Sequence, residues 1–192
     1  GPSAGGRQTA PPRNGDGSFG PYALPSPVDF FGTTYASTFV NNNGNVTFDG
    51  PLSTYTPFPL TSTNRVMLAP FFGDVDTRAD ASSVVTWGTT TFAGRTAFCV
   101  LWADVGVGYY SFRTDKLNNF QLLLVDRSDV GPGDFDTVLN YDLPQWETGQ
   151  AVGGNGGPGA SSPRLVCATG PSPPSLHPHP PAVAGTPRDV LR

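Results

Sequence analysis

The stretch Val40-Asn41-Asn42-Asn43-Gly44-Asn45-Val46-Thr47-Phe48 decides the reading of this chain. An asparagine run closing on Asn43-Gly44 separates two β-type segments, Thr38-Phe39-Val40 and Val46-Thr47-Phe48. Asn and Gly tolerate the positive φ that a tight hairpin turn demands. The segment therefore reads as a β-hairpin. On either side the same alternation of strand and turn signals continues. Candidate strands are Val28–Phe31, Thr34–Val40, Val46–Phe48, Val66–Phe72, Ser83–Trp87, Thr96–Val105, Phe120–Asp126 and Phe135–Tyr141. They recur at roughly ten-residue spacing without a helical period, which predicts an all-β fold, an antiparallel β-sandwich with long loops.

Composition agrees. Of 192 residues, 24 are Gly and 21 are Pro, which suits many short strands joined by turns. Glu147 is the only Glu and Lys116 the only Lys, so the best charged helix formers are nearly absent. The net charge of −4 offers nothing for nucleic acid or an anionic membrane surface, both of which need basic clusters. No apolar run approaches the ~20 residues that cross a bilayer as a helix, so no direct membrane insertion is expected.

Two strands disclose their faces. In Thr96–Val105, Phe98, Val100 and Trp102 share one side and Ala97, Cys99 and Leu101 the other. Both sides are apolar, as in a central strand covered on both faces. Phe120–Val125 reads the same way. Residues 126–134 are dense in turn formers and join Phe120–Asp126 to Phe135–Tyr141 as an antiparallel hairpin. The prolines of Tyr55-Thr56-Pro57-Phe58-Pro59-Leu60 bar it from an inner strand and make it a packed loop. The expected organisation is a flexible lead-in over 1–20, a β domain over 21–160 and a Pro-rich tail over 161–192.

The chemistry-bearing residues are few. Asp74, Asp76 and Asp80 offer oxygen ligands for Ca²⁺, but they do not fit a calcium-loop pattern. Asp also caps turns, and that reading is preferred; no other cofactor is expected. The only histidines, His177 and His179, lie in the Pro-rich tail, where a triad has no rigid support. Trp146 beside Glu147, with nearby Asp residues, is the one pairing that suggests a glycan-binding or glycan-hydrolysing site. The simpler reading makes Trp146 core and Glu147 a strand end. Asn45-Val46-Thr47 is the only glycosylation sequon. Tyr109, Tyr110, Phe112 and Arg113 form an aromatic and basic loop of the kind found at contact surfaces, or else one packed back on the sandwich. Cys99 is expected as a small buried hydrophobe, and a bridge to Cys167 is not expected.

Five segments in order resemble the nidogen-type extracellular domain. They are Phe30-Phe31-Gly32 with Tyr35; Val40 to Gly44 with Phe48; Tyr55-Thr56-Pro57 leading to Ala69-Pro70-Phe71-Phe72-Gly73-Asp74-Val75-Asp76; Trp102 and Val105 followed by Asn119-Phe120-Gln121; and Phe135 to Tyr141 followed by Trp146-Glu147-Thr148-Gly149. Asn14 to Ser18 fits the usual start of the module. Ser162 to Cys167 stands where the family continues into a closing strand containing Gly-Phe. The resemblance implies a secreted module, or the ectodomain of a membrane-attached mosaic protein, without catalytic residues. It also implies adhesion or matrix assembly with extracellular matrix or cell-surface proteins as partners. Loops such as Gly106–Leu117 and Gly153–Gly159 would then present the docking surface.

Overall fold

A computed structural model describes residues 11–60, 63–107, 114–142, 144–154 and 166–168. Among them there is no α-helix. The described residues hold ten strands and a 3-10 turn at Gln150–Val152.

The strands are β1 (Ser18–Phe30), β2 (Thr33–Asn41), β3 (Asn45–Thr47), β4 (Met67–Ala69), β5 (Val75–Asp76), β6 (Thr86–Phe92), β7 (Arg95–Val107), β8 (Leu117–Asp126), β9 (Phe135–Tyr141) and β10 (Val166–Ala168). One sheet runs β1-β2-β3-β4-β10. The other runs β5-β7-β8-β9, with β6 also on β7. Every pairing is antiparallel.

The two sheets close over one main core. Phe98, Val100 and Trp102 of β7 and Phe120, Leu122 and Leu124 of β8 meet Leu24, Val28 and Phe30 of β1, with Val40 and Val46. The opposite face of β7 and β8 is also sealed, with Ala97, Leu123 and Val125 buried beside Cys99 and Val138. Two-faced burial is what the unbroken apolar runs predict. A third cluster joins Leu52, and Phe58 and Leu60 of the proline-bearing loop, to Met67, Ala69 and Phe72. Each buried Val, Leu, Met or Phe side chain contributes about 1.5–3 kcal/mol of burial.

Four features depart from the sequence reading. First, β1 begins at Ser18 rather than Val28, and it contains Pro21, Pro25 and Pro27. Its only partner among the described strands is β2, so a missing proline N–H breaks no inner ladder. The register shifts between Phe19 and Tyr22 and between Ala23 and Val28, where the prolines lie. Second, the segment expected as lead-in over 1–20 is built into the fold from Arg13. Its guanidinium Nη1 donates to the carbonyls of Thr77 (2.9 Å), Ala79 (2.5 Å) and Ser82. Third, β6 occupies Thr86–Phe92 instead of Ser83–Trp87, because threonines carry strand propensity without an apolar alternation. Fourth, β10 comes from the stretch 161–192 expected as tail, and it pairs with β4 through Val166↔Ala69, Cys167↔Leu68 and Ala168↔Met67.

Candidate functional site

The asparagine hairpin is the polar centre of the molecule. β2 and β3 are joined by Asn42-Asn43-Gly44, with Asn41 opposite Asn45. Gly44 has φ +76, and a Cβ there would fall 1.8 Å from the Phe71 carbonyl oxygen, so only glycine fits.

Asn41, Asn42, Asn43 and Asn45 are all buried, and each amide is spent on the fold. Asn41 Nδ2 donates to Asn45 Oδ1 at 2.7 Å and Thr47 Oγ1 at 3.1 Å, while its Oδ1 accepts from Ser18 Oγ at 2.5 Å and Leu52 N at 3.3 Å. Asn42 Nδ2 donates to the carbonyls of Gly15 (2.8 Å) and Val75 (2.6 Å). Asn43 Nδ2 reaches Asp16 Oδ1 (3.0 Å) and the Thr54 carbonyl (3.1 Å), and its Oδ1 accepts from Val75 N (2.9 Å). Trp102 Nε1 donates across the core to the Asn41 and Asn42 carbonyls at 3.3 and 3.2 Å. One turn thus ties the N-terminal segment, the proline-bearing loop, β5 and β7 together.

An acidic group borders this hub. Asp76 is buried and paired bidentately with Arg78: Nε to Oδ1 at 2.9 Å and Nη2 to Oδ2 at 2.6 Å. That bond holds the Arg78 guanidinium above its ordinary pKa. Asp74 is pushed up to about 6, first by burial and then by Asp16 and Asp76, against the pull of Arg78. Both Asp76 oxygens are already occupied, and Asp80 contributes its carbonyl to Arg13 at 3.3 Å. Among the described residues no three His, Cys, Asp or Glu side chains gather to hold an ion. Asp76 serves here in an ion pair with Arg78, and Asp74 stands beside it.

Trp146 is an interior residue, 1% exposed. It meets Phe71 edge-on at 4.9 Å and donates from Nε1 to the Val105 carbonyl at 3.0 Å. The glycan reading of Trp146 and Glu147 required an exposed ring, and the core has taken it. Asn118, also buried, anchors this segment, its Nδ2 donating to the Trp146 carbonyl at 2.9 Å and its Oδ1 accepting from Trp146 N at 3.1 Å. The sequon fares alike. Asn45 is 0% exposed and donates from Nδ2 to the Asn43 carbonyl at 3.2 Å, so the folded domain has no room for a glycan on that atom. Tyr109, Tyr110, Phe112 and Arg113 lie outside the described residues, as does most of the two loops expected to dock partners. Cys99 is half-buried and accepts from Gln121 Nε2 at 3.2 Å.

Two of the four exposed large apolar side chains among the described residues lie at one end of the sandwich, where three connections meet. Phe31-Gly32 joins β1 to β2 with φ +54 and +82, and Ala93-Gly94 joins β6 to β7 with φ +49 and +79. Both are two-residue turns of the primed type. The third connection, 127–134, joins β8 to β9. Asp29 N donates to the Gly133 carbonyl at 2.7 Å, which fixes it beside the first turn. Arg95 pairs with Asp129 at 2.5 Å, which fixes it near the base of the second.

Phe31 is 54% exposed and Val130 65% exposed on these connections. Phe is a poor residue for a left-handed turn position, and backbone strain of this kind concentrates at working surfaces. The arginines nearby are paired. Arg127 bonds Asp136 (2.8 Å) and Asp129 (3.2 Å). Asp129 is held below the usual carboxylate range by its hydrogen bonds from Arg95 and then Arg127. Sequence reasoning named Phe31 only as part of a motif; a bulky residue directly before Gly32 at a hairpin tip was the available signal. Nothing in the sequence marked Arg13 or Arg78.

Fold and site define a two-sheet antiparallel module that spends its polar residues inside and shows apolar side chains at the tips of its turns. The chain belongs to the nidogen-like domain family, whose model matches residues 36–164. It is 36% identical to alpha-tectorin of Mus musculus and to that of Homo sapiens, over 168 aligned residues covering 77% of this chain and 8% of each relative. Nidogen of Drosophila melanogaster is 29% identical over 158 residues, covering 68% of this chain and 11% of that protein. The chain thus spans about a tenth of these relatives' length or less. No solved structure matches it. Among the described residues no helix is long and apolar enough to cross a membrane.

Proposed function

We propose that this domain is an extracellular, non-catalytic interaction module that supports cell–matrix adhesion or matrix assembly within a larger mosaic protein. The observation that carries the proposal is the nidogen-like family match over 36–164. Geometry supports it. The aromatic residue that would have stacked a sugar is buried, and a cavity among the described residues that borders β1, β7 and β8, of about 10 Å³, has room for no more than a single water. No cofactor enters the reading. The partners are extracellular matrix or cell-surface proteins, met at the end of the sandwich that carries Phe31 and Val130, by apolar contact.

The test immobilises the 192-residue chain, exposes it to a fractionated matrix extract with a calcium-chelated control, and compares it with Phe31→Asn and Val130→Asn. Saturable binding to a matrix protein, unchanged by chelation and reduced in both variants, is the expected result. Turnover of a glycan substrate, or binding indifferent to both substitutions, would overturn the assignment.

A further inference from the structure

We propose that Asn43-Gly44 is a covalent modification site concealed by folding: a deamidation switch that is armed when the domain opens and then prevents its return. Asn-Gly is the dipeptide most prone to spontaneous deamidation, since glycine places no side chain in the way of its own backbone nitrogen. Gly44 N attacks Asn43 Cγ, and the N–Cγ bond forms as the Cγ–Nδ2 bond breaks. Nδ2 departs as ammonia with the proton lost from Gly44 N. One water then opens the succinimide at either carbonyl, giving aspartate or isoaspartate. Water is the only co-reactant.

The native fold blocks the first step. Both Asn43 donors and its acceptor are engaged, by Asp16 Oδ1 at 3.0 Å, the Thr54 carbonyl at 3.1 Å and Val75 N at 2.9 Å. That exhausts the hydrogens of the carboxamide. Cyclisation needs the side chain to swing over Gly44 N, which breaks all three bonds at once. The backbone is held as well, with Phe71 N donating to the Gly44 carbonyl at 3.2 Å and Gly73 N to the Asn43 carbonyl at 3.3 Å. Conversion therefore proceeds only from opened molecules, in proportion to their population.

The product does not fit the site it came from. An aspartate at 43 has no hydrogen to give Asp16 or the Thr54 carbonyl, so carboxylate faces carboxylate where a hydrogen bond stood. Isoaspartate adds a methylene to the backbone of a turn that already abuts Phe71. A domain that opens long enough is chemically marked and barred from the native state.

The chain carries its own reference, the Asn-Gly pair Asn155-Gly156. The full chain is incubated in mildly alkaline buffer with and without urea, and conversion at each site is read by peptide mass spectrometry. Relative to Asn155, conversion at Asn43 is expected to be at least about tenfold slower in buffer than in urea. Asn43→Asp is expected to lose native signal or melt well below the parent. Adding Asp16→Asn to it returns a donor to the contact from the other side and should recover part of the loss. If Asn43→Asp does not fold, the rate ratio and the double substitution decide the matter. An equal ratio in buffer and urea, an Asn43→Asp chain as stable as the parent, or no recovery in the double variant would overturn the proposal.

Discussion

Trp102 and Trp87 are both sealed in the main core, yet their indole nitrogens have opposite fates. Trp102 Nε1 is shared between the Asn41 and Asn42 carbonyls, whereas Trp87 Nε1 is buried with no hydrogen-bond partner. Trp102→Phe removes volume and strips a donor from the hub, and should cost about 2–4 kcal/mol in urea unfolding. Trp87→Phe removes the same volume but relieves an unsatisfied N–H, and its rings against Phe19 and Tyr22 can be kept by Phe. A cost of about 1 kcal/mol or less is expected; equal costs for the two would contradict this account. Asp74 makes a pH prediction. Its carboxyl is pushed up to about 6, so the native chain binds that proton more tightly than the unfolded one. The stabilising contribution is complete below about pH 4 and is lost as pH rises through about 6. At neutral pH the ionised group costs at most about 3 kcal/mol, reduced to roughly 1 kcal/mol by its partial exposure to water. Asp74→Asn should therefore be the more stable protein at neutral pH, with the advantage gone near pH 4. An advantage that persisted in acid would show that the substitution acts by some other route.

The β1–β2 turn carries the sharpest prediction among the elements. Phe31 holds a left-handed conformation that costs a side-chain-bearing residue about 1–2 kcal/mol, while Asn before Gly is the preferred pair for this turn. Phe31→Asn gives up an edge-to-face contact with Phe30 at 4.7 Å, worth about 0.5–1.5 kcal/mol. The two nearly cancel, so thermal unfolding should place the variant within about 1 kcal/mol of the parent; a large destabilisation would mean that the ring is structural. How far the sequence exposed these elements depends on what each is made of. The hairpin at Asn43-Gly44, the two-faced β7 and β8 and the turn-rich link to β9 were legible, because apolar periodicity and turn chemistry agree there. β1 was hidden by its prolines, which signal a break everywhere except at an edge. β5 and β10 are too short to show a period, and they exist because a neighbouring strand offers a ladder. The site was less legible than the fold. A run of asparagines looks like a solvated turn, and only the packing of four distant segments on it turns those amides into a core. Asn45 misled for the same reason, since a sequon asparagine is here enclosed, whereas the core reading of Trp146 held because a large apolar ring is most often interior.

At the scale of the whole molecule, the described arginines are already engaged within the fold. The described arginines Arg65, Arg78, Arg95 and Arg127 each sit within 3.3 Å of an aspartate oxygen, and Arg13 is spent on backbone carbonyls. At the end carrying Phe31 and Val130, the cations Arg95 and Arg127 are answered by Asp129 and Asp136 before any partner arrives. A partner docking there meets apolar tips beside arginines that are already paired, so short-range apolar burial sets the affinity more than attraction to a free cation does. Binding of a matrix protein through this surface should change less than about threefold between low and physiological salt, where a charge-driven contact would lose far more. Splitting the rim provides the control. Asp129→Asn removes the shared anion and leaves Arg95 with no ion pair among the described residues, so the same titration on that variant should acquire a salt dependence that the parent lacks. Surface plasmon resonance across a salt series reads both slopes. A steep slope in the parent would place recognition on charged residues elsewhere and remove the Phe31 end from the docking surface.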